Sequence, residues 1–162
     1  MIRALRSLHQ CNVEFFRTHG FDPHDNYRWR ELSTLELLNL NGFEAQPSPG
    51  RHGSDFVARG VQHGEIKTRL TCSSPRFEWS RLQNPRALAT FESTDCFVFS
   101  VFSRIQFDPQ HTWVVRDPEA VIALKALVKS RIPPPTAARD TVGLSLKEIL
   151  EFRHEVMEGA QQ

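Results

Sequence analysis

The sequence predicts an α/β fold in which helices flank a central mixed β-sheet. The first observation is an almost continuously apolar and aromatic run at residues 95–103, typical of a strand covered on both faces. The second is a pair of short strand-like stretches separated by two glycines, which indicates a β-hairpin. Helical patterns precede and follow these strands, and this order is typical of a sheet covered by helices.

The N-terminal part predicts two helices. Apolar residues at three- and four-residue steps from residue 2 to about 19 favour an amphipathic helix, with packing or dimerisation as its role. Residues 21–30 are polar and aromatic and predict a loop. Ser33 and Glu36 form a capping-box pattern, which predicts a short helix from there to Leu40.

The middle of the chain predicts the sheet. Residues 54–58 and 65–70 have strand character, and residues 59–64 predict the turn between them. A helical or irregular stretch follows, and then the strand at 95–103 with a neighbouring strand at 111–116.

The C-terminal part predicts two more helices. Asp117, Pro118 and Glu119 are an N-cap, a first-turn proline and a first-turn acid before an apolar run, which together predict a helix start. The proline-rich residues 132–135 predict a rigid connector, and a last helix is expected over about 145–156.

Composition indicates one soluble globular domain. The chain has 162 residues, 40% of them hydrophobic and 24% charged, with a formal net charge of +1. A chain of this length buries roughly two-thirds of its unfolded surface, so it needs neither disulfides nor a structural metal to fold. The near-neutral balance gives no global argument for a nucleic acid or membrane partner, so any such argument depends on local clustering.

Several classes of protein are not favoured. No apolar run approaches the roughly 18 residues that span a bilayer, and the start lacks the apolar stretch of a signal peptide, so we expect a cytoplasmic protein without a membrane partner. The three cysteines Cys11, Cys72 and Cys96 contain no CxxC pair, and the seven histidines have no ligand spacing. Neither a disulfide framework nor a zinc site is therefore expected.

The chemistry concentrates around Asp55, Glu65 and Lys67. If both flanking segments are paired strands, Glu65 and Lys67 lie on one face and pairing across the hairpin brings Asp55 beside them. Two carboxylates suit a hard divalent cation such as Mg²⁺, and the lysine can position the attacking water, which implies phosphodiester hydrolysis. Glu36, on the preceding helix, is a further carboxylate that could reach the metal directly or through water.

The same pattern has a simpler interpretation. Asp55 would be a turn residue, and Glu65 and Lys67 an exposed pair worth a fraction of a kcal/mol. The apolar neighbours Phe56 and Ile66 argue against it, because charges at the edge of a packed core are costly unless they have a task.

These residues resemble the PD-(D/E)xK nucleases and, within them, the PvuII-like type II restriction endonucleases. The resemblance covers roughly residues 34–128: the Pro-Gly-Arg-x-Gly-x-Asp run that ends at Asp55, the Glu-Ile-Lys triplet that ends at Lys67, the pair Asn84-Pro85, and the later strands and proline-containing helix start. It departs where the family's prototype has a run of histidines before its Asn-Pro pair, so the target sequence cannot be carried over.

The resemblance implies a restriction-endonuclease-like core at residues 31–128 of a single nuclease domain spanning 1–162, with a dimerising N-terminal segment at 1–30 and a helical C-terminal segment at 133–162. It implies Asp55 and Glu65 as metal ligands, with the Ile66 carbonyl as a further ligand, and Lys67 at the attacking water. The expected cofactor is Mg²⁺, with Mn²⁺ able to substitute. The expected protein is a homodimer that cuts double-stranded DNA to leave 5′-phosphates, paired with a cognate DNA methyltransferase.

DNA contacts are expected in the segment around this motif, since residues 51–90 carry a local net charge of +4. Arg81 suits guanine, and Gln83 or Asn84 suits adenine, although a solvated loop is the alternative. Phe77 and Trp79 suit a base methyl group, with burial as the alternative. The candidate DNA-binding residues are Arg51, His52, Ser54, Thr68, Arg69, Ser73, Arg76, Phe77, Trp79, Ser80, Arg81, Gln83 and Asn84.

Two rival functions remain open. One keeps the fold but requires 5-methylcytosine or nicks one strand in repair. The other is a non-catalytic DNA-binding domain in which Asp55, Glu65 and Lys67 form a structural ion cluster. Cleavage of methylated and unmethylated DNA separates these interpretations.

Overall fold

A computed structural model describes residues 11, 13–15, 17, 18, 26–48, 53–70, 74–102 and 109–158, with the backbone alone at 26–29. The described residues between 11 and 18 are helical, in agreement with the expected N-terminal helix, and the rest of that segment lies outside the described residues. None of the helices in the described part is long and apolar enough to cross a membrane.

The centre of the protein is a six-stranded mixed sheet, which confirms the predicted fold class at the level of a mixed sheet flanked by helices. Its strands lie in the order β1-β2-β3-β5-β6-β8, with β3 and β5 parallel and every other pair antiparallel. The strands are β1 (Gln46–Pro47), β2 (Phe56–Ala58), β3 (Val61–Leu70), β5 (Cys96–Phe102), β6 (Pro109–Val115) and β8 (Glu155–Met157).

The two faces of the sheet are covered differently. Helix α1 (Asn26–Leu40) packs on one face, over Ile66, Val98 and Val114. The other face carries α2 (Pro85–Ser93), α3 (Pro118–Ser130) and a separate two-stranded sheet of β4 (Arg76–Ser80) and β7 (Thr141–Ser145), which are joined to the short α4 (Leu146–Ile149).

The β2–β3 hairpin is shorter in its turn than the sequence suggests. Ala58 pairs with Val61, so Arg59 and Gly60 alone make the turn, and Gly60 has the positive φ of 77° that glycine adopts without strain. The strand that carries Glu65 therefore begins at Val61 rather than at Glu65 itself.

The predicted central strand is confirmed, because all seven residues of β5 are buried. Its predicted neighbour β6 pairs with it, and Asp117 caps α3 by accepting a hydrogen bond from the Ala120 backbone N–H. The proline-rich connector is irregular, and it joins α3 to the strand β7 rather than to the expected second helix.

Three predicted elements are wrong. Residues 26–30, expected in a loop, belong to α1, so the capping-box pattern at Ser33 lies inside a helix. Residues 76–80, expected as helical or irregular, form β4. The helical segment expected over 133–162, with its helix at 145–156, is instead β7, the four residues of α4, and β8 as far as the described residues extend, to residue 158. Ser145 and Glu148 do form a capping box, but the helix they start ends after one turn and β8 pairs with β6.

Candidate functional site

The β2–β3 hairpin brings Asp55, Glu65 and Lys67 to one cleft. Asp55 precedes β2, its backbone N–H bonds to the Gly64 carbonyl at 2.8 Å, and its Oδ2 accepts a hydrogen bond from the Ile66 N–H at 2.7 Å. Glu65 and Lys67 share the opposite face of β3 from Ile66, and Lys67 Nζ lies 2.6 Å from Glu65 Oε1. Period-two spacing predicts this juxtaposition.

The cleft is about 400 Å³ in volume. Its walls are the hairpin on one side and the segment from β4 into α2 on the other. Among its lining residues, Lys67, Arg81 and Arg86 are cationic and Asp55 and Glu65 are acidic. The lining residues are Gly53, Ser54, Asp55, Glu65, Lys67, Trp79, Ser80, Arg81, Leu82, Asn84, Arg86, Ala87, Thr90, Phe91 and Thr94.

Burial raises the pKa of Asp55 from 3.8 to about 6. The Ile66 N–H opposes this rise, the carboxylates of Glu31 and Glu65 add to it, and the Lys67 ammonium lowers the pKa. The ionised form of Asp55, a partly buried carboxylate with two acidic neighbours, is therefore disfavoured, and a divalent cation would favour it.

Glu31 is the carboxylate that sequence reasoning missed. It lies on α1, is only 4% exposed, and is close enough to Asp55 to raise its pKa. Glu36, the predicted contributor, is exposed, because five residues rotate a helix by about 140°. Glu36 does not line the cleft, so the structure does not bring it together with Asp55 and Glu65, and recognising Glu31 required knowing that α1 begins at Asn26.

The donor set fits a hard cation such as Mg²⁺. Asp55 and Glu65 offer carboxylate oxygens, and the Ile66 carbonyl faces the same edge of β3 as its N–H, which is the edge where Asp55 lies. No group of three or more His, Cys, Asp and Glu side chains with metal-binding geometry occurs among the described residues. Mg²⁺ commonly takes one or two carboxylates and completes its shell with water and phosphate oxygens, so two carboxylates and a carbonyl suffice.

The aromatic candidates for base contact are buried. Phe77 is 0% and Trp79 2% exposed, and both pack edge-to-face on Phe99 in the core. Neither ring is available to a base methyl group, so the predicted contact is wrong and the alternative, burial, is what the structure has. Trp79 lines the cleft, where its Nε1–H donates a hydrogen bond to Glu65 Oε2.

Several polar candidates already have partners within the protein. The Gln83 amide nitrogen donates to the carbonyls of Pro133 and Pro134, which ties the connector to the site and leaves this group unsuited to reading adenine. Arg69 bonds Glu78 and the Arg76 carbonyl.

Three further candidates lie in or beside strands: Thr68 in β3, Arg76 in β4 and Ser54 just before β2. Thr68 is 8% exposed, and its hydroxyl has no hydrogen-bond partner in the described part of the chain. Arg76 bonds the Gly143 carbonyl, and Ser54 bonds the Ser48 hydroxyl at 3.2 Å.

Three candidates remain exposed along the cleft: Ser80, Arg81 and Asn84. Arg81 adopts φ of 61°, a left-handed conformation that is uncommon for a residue other than glycine and is frequent at functional sites. Asn84 caps α2 by accepting a hydrogen bond from the Arg86 N–H. Arg51, His52 and Ser73 lie outside the described residues.

No protein-family model matches the chain, and no curated protein matches it either. The residues of the cleft are therefore what indicates the function.

Proposed function

We propose that the protein is a Mg²⁺-dependent, sequence-specific double-strand DNA endonuclease of the type II restriction class, with a restriction-endonuclease-like fold. The observation that carries the proposal is the convergence of Asp55, Glu65 and Lys67 at one cleft, with Asp55 held by the Ile66 N–H. The cations Arg81 and Arg86 on the opposite wall suit a polyanion.

In this proposal Asp55, Glu65 and the Ile66 carbonyl hold the metal, which when bound supplies positive charge that offsets charge on the phosphate. Lys67 donates a hydrogen bond that orients the attacking water. The water oxygen bonds to phosphorus as the P–O3′ bond breaks, which leaves a 5′-phosphate and a 3′-hydroxyl. The proton that the water loses is matched by the one that the 3′ oxygen takes up.

The biological setting belongs to the same proposal. A cytoplasmic homodimer would cut both strands of a palindromic site, and a cognate methyltransferase would protect the host DNA. The 5-methylcytosine-requiring rival loses support, because the two aromatic residues that favoured it, Phe77 and Trp79, are buried.

A non-catalytic DNA-binding domain is the second candidate. The 2.6 Å contact between Lys67 Nζ and Glu65 Oε1 favours it, because a cluster of charged residues with a structural role would also contain such an ion pair. Such a domain would bind DNA without a metal and leave it intact.

The test is cleavage of unmodified and cytosine-methylated plasmid DNA, with Mg²⁺ or with EDTA. We compare the native protein, Asp55→Asn and Glu65→Gln with Glu151→Gln, which alters an exposed carboxylate outside the cleft. Discrete Mg²⁺-dependent fragments from the native protein and Glu151→Gln alone would support the nuclease. Binding in EDTA with no cleavage under Mg²⁺ or Mn²⁺ would support the binding domain, and cleavage retained in both site variants would refute the proposed site.

A further inference from the structure

Trp79 is fixed in the core beneath the candidate site. It lies in β4, where it pairs with Val142 of β7, and it is 2% exposed. Its ring packs edge-to-face on Phe91, Phe97 and Phe99, with ring centroids 6.0 to 6.2 Å away. Since these contacts hold the ring from several directions, the position of its N–H group is also fixed.

The polar edge of Trp79 meets both charged residues of β3. Its Nε1–H donates a hydrogen bond of 3.2 Å to Glu65 Oε2, and Lys67 Nζ lies 5.6 Å from the ring centroid. The other Glu65 oxygen, Oε1, is the one that contacts Lys67 Nζ. Trp79 thus contacts the carboxylate through its donor and the ammonium through its π face.

A purely structural role would not need this donor. The phenylalanines of this layer, Phe77, Phe91, Phe97 and Phe99, fill the core without a polar group. A buried indole N–H needs an acceptor, and here the acceptor is a carboxylate that the proposed function assigns to the metal.

We propose that Trp79 is a positioning residue that holds Glu65 and Lys67 in the geometry the metal and the attacking water require. The inference rests on the proposed function for its purpose, but the contact itself is testable without DNA. Hydrogen bonds to metal ligands orient them, and their loss commonly weakens metal affinity by about 10- to 100-fold.

The contact is tested first without metal, by NMR of the indole N–H groups. The chain has three tryptophans, so three indole signals are expected, and Trp79→Phe identifies the one from Trp79. Glu65→Ala should shift that signal and leave the signal of Trp113 in place, and Glu151→Ala should shift neither. A Trp79 signal that does not respond to Glu65→Ala would overturn the proposal, whatever the protein does to DNA.

The consequence is then tested by titration with Mn²⁺ alone. Trp79→Phe keeps a ring in the core and removes the donor, and Trp113→Phe is the matched control, since Trp113 is buried in the same layer but does not line the cleft. We expect Trp79→Phe to weaken Mn²⁺ binding about 10-fold or more and Trp113→Phe to leave it unchanged. In a Glu65→Gln background, Trp79→Phe should add less than twofold.

The two proposals fail in different ways. Equal Mn²⁺ affinity in the native protein and in folded Trp79→Phe overturns the positioning role and leaves the nuclease proposal standing. A native protein that binds no Mn²⁺ and cuts no DNA overturns the proposed function and with it the positioning role, even if the NMR contact between Trp79 and Glu65 is observed.

Discussion

Asp55→Asn is expected to stabilise the metal-free protein at pH 8. Burial raises the pKa of Asp55 from 3.8 to about 6, so the native state binds this proton more tightly than the unfolded state does. Stability therefore falls as the pH rises from about 4 to 6, and the full cost above that range is about 3 kcal/mol at 1.36 kcal/mol per pKa unit. Asparagine carries no charge and keeps an oxygen for the Ile66 N–H. The substitution should therefore raise the free energy of unfolding by up to about 3 kcal/mol.

The assay is urea unfolding in EDTA at pH values from 8 to 4. The gain from Asp55→Asn should shrink as the pH falls and be only about 0.5 kcal/mol at pH 4. Asp140→Asn, which changes an exposed carboxyl, should stay within about 0.5 kcal/mol of the native protein at every pH. A gain that does not depend on pH, or a loss of stability at pH 8, would refute the assignment of Asp55 as a buried, destabilising carboxylate.

Three other perturbations have defined outcomes. Gly64→Ala should destabilise the protein by about 1–3 kcal/mol in urea unfolding, because its Cβ would come within 2.2 Å of the Phe56 ring, whereas Gly143→Ala, whose Cβ would meet the Arg76 and Glu78 side chains at 3.1 Å or more, should cost less. Equal effects of the two substitutions would contradict this packing. Saturating Mg²⁺ should raise the Tm of the native protein at pH 8 but not that of Asp55→Asn, by an amount that grows with concentration; a rise of the same size in both would place the ion elsewhere. Asn84→Ala should lose about 1 kcal/mol of stability with the cap of α2, which circular dichroism during thermal unfolding would detect, and an unchanged Tm would show that the cap is dispensable.

The centre of the sheet could be predicted because the sequence patterns that indicate it lie within single elements. Strand β5 is buried along its whole length, which makes its sequence continuously apolar, and α3 has both its cap and its first-turn proline in sequence. The positions of Glu65 and Lys67 follow from the two-residue period of a strand.

The β4–β7 pair was missed although each strand alternates in burial. Phe77 and Trp79 are buried between exposed residues, and Val142 and Leu144 repeat the pattern. Five residues of alternation are weak evidence alone, and the partner strand lies some 60 residues away in the sequence. Whether such a segment forms a strand is decided by its pairing with a distant strand, and this pairing cannot be recognised from the local sequence.

Helix α1 was mispredicted for a different reason. It buries polar residues such as Glu31, Ser33 and Thr34 among its leucines, so its burial does not appear as an apolar stripe. The Thr34 hydroxyl is satisfied partly within the helix, by the Arg30 carbonyl, and partly by a tertiary contact, since it lies 3.1 Å from the Ser100 hydroxyl of β5.

That hydroxyl contact continues to a third strand, since Ser100 Oγ lies 2.9 Å from Thr112 Oγ1 of β6. The three hydroxyls form a hydrogen-bonded chain that links α1 to two strands of the sheet. If α1 slid along the sheet by one turn, about 5.4 Å, the hydrogen bond between Thr34 and Ser100 would be lost, at a cost of about 0.5–1.5 kcal/mol, while Thr34 would keep the Arg30 carbonyl and Ser100 would keep Thr112. Thr34 is three residues from Glu31, nearly one turn, so a shift of α1 that breaks the bond between Thr34 and Ser100 also changes the distance from the Glu31 carboxylate to Asp55.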